Sequence, residues 1–211
     1  MKSLTRQTFI AGLALAGLAV PVAAFAEGAA RVGAPAPAFQ AVDAEGRTRN
    51  LSEFAGKTVI LEWTNHECPY VRKHYNSATM QTLQKDMAKD GIVWLSVISS
   101  PAGEQGHVEA ARAKELTAQR DAAPAGVLLD PKSRIARAYG AQTTPHMYII
   151  DPKGTLVYMG AIDDKPSSAA SSLNGAKSYV RQAVAELKAG KPVSEASTKA
   201  YGCVVKYAPL S

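Results

Sequence analysis

Cys68 stands where the sequence changes from a strand pattern to a helix pattern. The apolar, β-branched run at residues 58–63 is typical of a buried strand, and Pro69 suits the first position of a helix because its missing N–H would be unpaired there. Cys68 is therefore expected at a helix N-terminus, where free backbone N–H groups and the helix dipole favour a thiolate. Arg72 and Lys73 add positive charge one turn further on. Since the thiolate is the reactive form, the pattern indicates a nucleophile, the alternative being a buried inert thiol.

The chain has one other cysteine, Cys203, in the aromatic-flanked segment at residues 201–207. Two cysteines can form one intramolecular disulfide but not a zinc site made of four cysteines. Spacing alone leaves three states open, which are a Cys68–Cys203 pair, an intermolecular bond and two separate thiols.

Glu62 is a carboxylate inside the apolar strand pattern, six residues before Cys68. Burying a carboxylate costs free energy, and desolvation raises its pKa. The sequence therefore predicts a buried acid with a raised pKa close to the candidate nucleophile, the alternative being an exposed glutamate on an edge strand.

Strands and helices alternate along most of the chain. The sequence predicts strands at residues 58–63, 92–98, 126–129, 146–150 and 156–162, and helices at 69–89, 108–120, 133–139 and 176–189. The last two strands form a hairpin around the turn at residues 151–154. This order favours the α/β class with a central mixed sheet.

The first 26 residues have the features of a secretory signal peptide. Lys2 and Arg6 precede an apolar stretch at residues 9–20, and Ala24-Phe25-Ala26 fits a cleavage site after Ala26. We expect a periplasmic protein with a main domain at residues 27–192 and a tail at 193–211 that carries Cys203; the alternative is an uncleaved membrane anchor. That compartment permits disulfides.

Composition excludes several classes of protein. Hydrophobic residues make up 46% of the chain and charged residues 20%, which excludes a disordered chain and a cysteine-rich scaffold. The net charge of +6 comes without a basic run interleaved with aromatic residues, so we expect no nucleic-acid partner. We also expect no stable membrane insertion of the mature chain, because no other apolar stretch is long enough.

The sequence resembles the thioredoxin-like superfamily, in particular its exported redoxin and peroxiredoxin-like (alkyl hydroperoxide reductase/thiol-specific antioxidant-like) branch. The resemblance covers about residues 32–187 and is carried by the segments ILEWT, CPYV, IVWLSVI and TTPHMYIIDPKG. It implies a thioredoxin-like fold with an N-terminal extension and a C-terminal tail. It also implies a cis Thr144–Pro145 bond beside Cys68, with the Thr144 backbone free to hold an extended substrate segment, and a Glu62 that moves protons.

The sequence departs from both related motifs. Val71 occupies the place of the second cysteine in the thioredoxin C-x-x-C motif, while Leu61 and Asn65 replace the proline and threonine of the peroxiredoxin motif. The peroxiredoxin arginine has no counterpart, although Asn65 retains a side chain that can donate a hydrogen bond to a bound peroxide. The segment YGCVVKY around Cys203 resembles the tail of a peroxiredoxin-like subgroup, which implies that Cys203 is the resolving partner of Cys68.

The histidines are His66, His74, His107 and His146. His66 and His146 are expected near Cys68, where positive charge would favour the thiolate, and His74 is expected at the surface. Two thiolates with imidazole suit copper, which makes a copper site of Cys68, Cys203 and His146 one hypothesis. No short metal-binding spacing occurs, and we therefore expect no metal and no cofactor beyond the thiols.

These features together predict an exported thiol–disulfide oxidoreductase. Cys68 attacks, Cys203 resolves, Glu62 moves the proton, and Thr144 and Pro145 hold the substrate. Groups expected to tune Cys68 or contact substrate are Asn65, His66, Pro69, Tyr70, Arg72 and His146. The partner would be a thiol or disulfide protein or a small peroxide. The alternatives are a peroxiredoxin-like thiol peroxidase, a periplasmic copper chaperone, and a scaffold that has lost its chemistry.

Overall fold

The computed structural model describes residues 30–210; the expected signal peptide and its cleavage site lie outside the described residues. The strands are β1 (Gln40–Asp43), β2 (Thr48–Asn50), β3 (Val59–Trp63), β4 (Val93–Ile98), β5 (Gly126–Leu129), β6 (Thr143–Thr144), β7 (His146–Ile150), β8 (Leu156–Gly160) and β9 (Cys203–Val204). The helices are α1 (Pro69–Asn76), α2 (Thr79–Lys89), α3 (Ala110–Gln119), α4 (Arg134–Tyr139) and α5 (Tyr179–Lys188), with 3-10 turns at Leu51–Phe54 and Ala170–Leu173.

Seven strands form one mixed sheet in the order β2-β1-β5-β4-β3-β7-β8, and β6 pairs with β9 in a separate ladder. Strands β3, β4 and β5 run parallel, while β7 runs antiparallel to β3 and aligns His146 with Trp63. The end of β3 therefore lies beside the start of β7. This topology brings the loop that precedes α1 and the Thr144–Pro145 segment together at the same end of the neighbouring strands β3 and β7.

The two faces of the sheet bury separate apolar clusters because side chains alternate along a strand. Leu61 and Trp63 pack in one cluster, and Ile60 packs in the other with Cys68 and residues of α1, α2 and α5. Among residues 30–210, no helix has the length and apolar character needed to cross a membrane. The expected α/β class and central mixed sheet are confirmed.

One expected helix needs correction, and two pairs of short strands are additions. The helix expected at residues 69–89 is two helices, since the Ser77 hydroxyl donates to the carbonyls of Lys73 and His74 at 2.8 and 3.2 Å and ends α1. Ala78 then has a φ of 58° and begins α2 in a new direction. The hairpin of β1 and β2 and the ladder of β6 and β9 were not expected, because these strands are only two to four residues long.

Candidate active site

Cys68 is the N-cap residue of α1, with Pro69 in the first helical turn, as expected. The Cys68 side chain makes no capping hydrogen bond, but the Val71 backbone N–H in the first turn of α1 is among the groups that lower the pKa of Cys68. Cys68 is fully buried, and its thiol donates to the Thr144 carbonyl oxygen at 3.1 Å. The Thr144–Pro145 bond is cis, which confirms that expectation.

Cys203 lies directly against Cys68. Strand β9 pairs antiparallel with β6, and the register places Cys203 opposite Thr144. The thiol and the backbone N–H of Cys203 are close enough to the Cys68 sulfur to lower the pKa of Cys68, and both cysteines are free thiols. The expectation that the Thr144 backbone is free for substrate is therefore wrong in this state, because the chain's own tail is paired there.

The two thiols differ in acidity. Burial favours the protonated form of Cys68, but hydrogen bonds from the Cys203 thiol, Thr144, the Val71 N–H and the Cys203 N–H outweigh burial and lower the pKa of Cys68. Burial raises the pKa of Cys203 to about 12, helped by the hydrogen bond and the charge of Cys68 and opposed by Lys206. Cys68 is thus the thiolate-forming member of the pair and Cys203 the proton-bearing member.

The positive charge expected from the histidines is absent. Burial lowers the pKa of both imidazoles. It is the main cause of the lowered pKa of His66, and it brings the pKa of His146 to about 4. His146 Nδ1 accepts from the Gln142 N–H and lies 3.2 Å from the Tyr148 hydroxyl. Both imidazoles are neutral at pH 7, so the hypothesis that their charge favours the thiolate is wrong; hydrogen-bond donors do so instead.

Lys73 and His74 also differ from expectation. Lys73 is buried, and its Nζ donates to the Lys165 carbonyl at 3.1 Å rather than facing Cys68. Arg72 is exposed. His74 is completely buried rather than at the surface, and burial lowers its pKa to about 4. The side of α1 that carries Lys73 and His74 is covered by the segment from Asp163 to Ser172 and by Tyr201 of the tail.

Glu62 is fully buried with a raised pKa, as expected, because burial disfavours the carboxylate more than its hydrogen bonds favour it. Trp94 Nε1 donates at 2.9 Å, and the Ser96 and Tyr75 hydroxyls donate at 3.0 Å. Among the described residues, no hydrogen bond joins Glu62 to either sulfur. Any proton exchange between them therefore needs an intermediary.

Asn65 and Tyr70 already have partners within the protein. The Asn65 side chain accepts from the Glu67 N–H at 2.9 Å, and its Nδ2 donates to the Gln105 carbonyl at 3.5 Å. The Nδ2 group that was expected to donate to a bound peroxide therefore already has a partner within the protein. The Tyr70 ring packs edge-on against Tyr201 of the tail, with 5.9 Å between centroids. Pro69 is exposed.

The copper hypothesis is not supported by the geometry. Within residues 30–210, no group of three or more His, Cys, Asp or Glu side chains is arranged to hold a metal ion. Cys68 and Cys203 meet, but His146 does not complete a ligand set with them. The ring nitrogens of His107 lie at the Ser100 carbonyl and the Glu109 carboxylate rather than at a thiol.

Of two further residues near the site, Tyr201 had a signal in the sequence, which is its place two residues before Cys203, and Asp163 had none. The Tyr201 hydroxyl donates to the Asp163 carboxylate, although the residues lie 38 positions apart. Asp163 is only 4% exposed, and no local motif marks it as buried. A search for polar residues adjacent to Cys203 would have identified Tyr201 but not its partner.

Comparison with known proteins agrees with this geometry. The model of the AhpC/TSA family matches residues 32–159, and no curated protein matches the sequence significantly. An uncharacterized conserved protein from Geobacillus kaustophilus is 23% identical and aligns with 86% of this chain and 94% of its own, with a TM-score of 0.73. A hypothetical protein from Sinorhizobium meliloti 1021 is 22% identical over 87% and 98%, with a TM-score of 0.72.

A third solved structure is the thioredoxin domain of a thiol-disulfide oxidoreductase from Bacteroides vulgatus. It is 19% identical over 69% of this chain and 96% of that domain, with a TM-score of 0.50. These likenesses show the thioredoxin-like fold, and the family match spans more than half of the sequence. The chain therefore belongs to the AhpC/TSA family, whose members are thioredoxin-like oxidoreductases that work through redox-active thiols.

Proposed function

We propose that the protein is an exported thiol–disulfide oxidoreductase in which Cys68 is the nucleophile and Cys203 the resolving cysteine. The observation that carries the proposal is the strand pairing that places the free thiol of Cys203 opposite Thr144, whose carbonyl oxygen accepts from the free thiol of Cys68 at 3.1 Å. The two thiols also differ in acidity, since the pKa of Cys68 is lowered and that of Cys203 is raised. Export rests on the signal-peptide pattern of residues 1–26. The main domain is residues 27–192, and residues 193–211 form the tail that delivers Cys203.

The reaction proceeds in two exchanges. The Cys68 thiolate attacks a substrate disulfide, a bond forms between Cys68 and one substrate sulfur, and the other sulfur leaves as a thiolate that takes up a proton. Cys203 then loses its proton and attacks the Cys68 sulfur, which releases the second substrate thiolate. Two electrons pass from the two protein thiols to the substrate, and an external thiol reductant returns them.

The order of attack follows from the acidities. In the resting state, the Cys68 sulfur contributes to the high pKa of Cys203 through a hydrogen bond and through its charge. Both contributions disappear once Cys68 is bound in a mixed disulfide, because that sulfur is then neutral. The first exchange therefore lowers the pKa of Cys203 and prepares it for the second.

Glu62 is proposed as the internal group that exchanges protons during the reaction. A cavity of about 30 Å³ is lined by Thr64, His66, Tyr75 and Arg120 among others, and Tyr75 donates to Glu62. The cavity is large enough for one water. It offers a path from Glu62 towards the His66 end of the loop that precedes Cys68.

The substrate approaches from the side that the tail covers. Cys68 is fully buried, and the Thr144 edge is paired with Cys203. In the proposal, the tail moves away from Thr144 to admit a substrate, and Thr144 and Pro145 then hold the substrate segment in its place. The same edge thus serves the resolving cysteine and the substrate in turn.

A thiol peroxidase is the second candidate, and the burial of Cys68 favours it, since a small peroxide needs a smaller opening than an extended polypeptide. In that reaction the Cys68 thiolate attacks the peroxide, becomes a sulfenic acid and releases an alcohol or water. The Cys203 sulfur then attacks the sulfenic sulfur, forming the same disulfide and releasing water.

Single-cysteine variants test the proposal. Cys68→Ser is expected to abolish reduction of a peptide disulfide, while Cys203→Ser is expected to accumulate a mixed disulfide through Cys68 that intact mass detects. Each variant is the matched control of the other. Full reductase activity in Cys68→Ser would refute the proposal, and rapid peroxide consumption without reduction of peptide disulfides would favour the peroxidase.

A further inference from the structure

A buried polar cluster lies where the tail reaches α1. We name Lys73, Asp163 and Tyr201 the tail latch. The Lys73 side chain is completely buried and that of Asp163 is 5% exposed. The Tyr201 hydroxyl donates to Asp163 Oδ1 and lies 3.3 Å from Lys73 Nζ. Lys73 Nζ also lies 3.9 Å from Asp163 Oδ2 and 5.2 Å from the centre of the Tyr201 ring.

Tyr201 is the only member of the latch that comes from the tail, and it serves both buried charges. Its hydroxyl donates a hydrogen bond to the Asp163 carboxylate and accepts one from the Lys73 ammonium. Buried ions without such partners are costly. His74, which lies 3.7 Å from the same carboxylate, is neutral at pH 7 and supplies no balancing charge. Docking of Tyr201 is therefore linked to the satisfaction of Lys73 and Asp163.

Tyr201, the member of the latch that belongs to the tail, lies two residues before Cys203, and Gly202 stands between them. Gly202 has a φ of +136°, and a Cβ at this position would lie 2.0 Å from the Thr144 carbonyl oxygen. Only glycine lets the tail approach Thr144 this closely. The Thr144 oxygen is also the acceptor of the Cys68 thiol. Seating Tyr201 thus sets where Cys203 meets Cys68.

We propose that Tyr201, held by Lys73 and Asp163, is a positioning residue that raises the effective concentration of Cys203 at Cys68. The inference rests on the proposed function, because it concerns the same pair of thiols. An undocked tail would sample many conformations, whereas a latched tail presents Cys203 in one. The latch therefore favours disulfide closure, and it keeps the Cys203 donors on the Cys68 sulfur in the reduced protein.

The test is the equilibrium constant for the Cys68–Cys203 disulfide in glutathione redox buffers. Tyr201→Phe retains the ring beside Lys73 and Tyr70 and removes only the hydroxyl. We expect at least about a tenfold smaller equilibrium constant, which is a rise of about 30 mV in reduction potential. The pH titration of Cys68 thiolate absorbance is expected to show a higher pKa, because the donors from Cys203 are lost.

Tyr139→Phe is the matched control. Tyr139 is fully buried, and its hydroxyl donates to the Pro37 carbonyl at 2.7 Å, so its loss removes a buried hydrogen bond that does not involve the tail. This variant is expected to keep the wild-type equilibrium constant. Gly202→Ala, which displaces the tail by steric contact instead, is expected to shift the constant in the same direction as Tyr201→Phe.

Three results would overturn the inference. An unchanged constant in both Tyr201→Phe and Gly202→Ala would show that the latch does not position Cys203. Equal decreases in Tyr201→Phe and Tyr139→Phe would show a general loss of stability. Absence of any intramolecular disulfide in the wild-type protein would remove the proposed resolving role of Cys203 as well, whereas a wild-type disulfide with unchanged variants would leave that role standing.

Discussion

The Lys73–Asp163 pair permits a quantitative prediction about stability. Nζ and Oδ2 lie 3.9 Å apart, and at an effective dielectric constant of about 20 two charges at about 4 Å attract by about 4 kcal/mol. Lys73→Met removes the charge but keeps the apolar stem, and it leaves the buried Asp163 without a counter-charge. We expect the free energy of unfolding to fall by about 3–5 kcal/mol.

The reverse variant is expected to cost less. In Asp163→Asn, Lys73 keeps the Lys165 carbonyl, the Ser172 hydroxyl and the Tyr201 hydroxyl as partners. Burial already lowers the pKa of Lys73, while Asp163 opposes that shift, so the lysine can lose its proton. The expected loss is about 1–3 kcal/mol. The double variant buries no charge at this site, and its loss is expected to fall below the sum of the single losses by about 2 kcal/mol.

Urea unfolding of the wild type, both single variants and the double variant at pH 7 gives the coupling free energy directly. Lys89→Met is the matched control, since Lys89 forms an exposed ion pair with Asp86, and it is expected to leave the free energy of unfolding nearly unchanged. A coupling below about 0.5 kcal/mol for Lys73 and Asp163 would refute the reasoning, because independent sites are additive within that margin.

Two further predictions concern titrating groups. Cys203→Ala is expected to raise the pKa of Cys68, because it removes the thiol that hydrogen-bonds the Cys68 sulfur; a pH profile of Cys68 alkylation checks this, and an unchanged or lower pKa would contradict it. The folded-state pKa of Glu62 is raised above its usual 4.5, so wild-type stability is expected to decrease as pH rises from about 4.5 through that raised pKa. Glu62→Gln does not titrate and should lose this dependence in urea unfolding at several pH values; an unchanged slope would exclude Glu62 as its source.

The site residues differ in how much of their environment is local. Cys68 was predictable at a helix N-terminus because a strand, a short turn and Pro69 lie next to it in the sequence. Glu62 was predictable as a buried acid because its neighbours in β3 are apolar. Both conclusions depend on one short stretch, residues 58–69, and periodicity and capping operate over that range.

The environment of Lys73 was not predictable in the same way. Its spacing on α1 gives a polar face, and the groups packed against that face come from Lys165 and Ser172, 92 and 99 positions away, and from Tyr201, 128 positions away. The strand pairing of Thr144 with Cys203 spans 59 positions and involves strands of two residues, too short for any alternation pattern. Tertiary contacts between distant segments decide both features.

The register of β9 on β6 has a consequence for how the sequence can change. Side chains of a strand alternate between its two faces, so a shift of one residue would turn Cys203 away and present Val204 in its place. A single residue separates Tyr201 from Cys203, and this spacing fixes the register relative to the latch. Insertion of one residue between them would keep Cys68, Cys203 and the three latch residues in the protein. Tyr201 could then occupy the latch only with Cys203 out of register with Thr144.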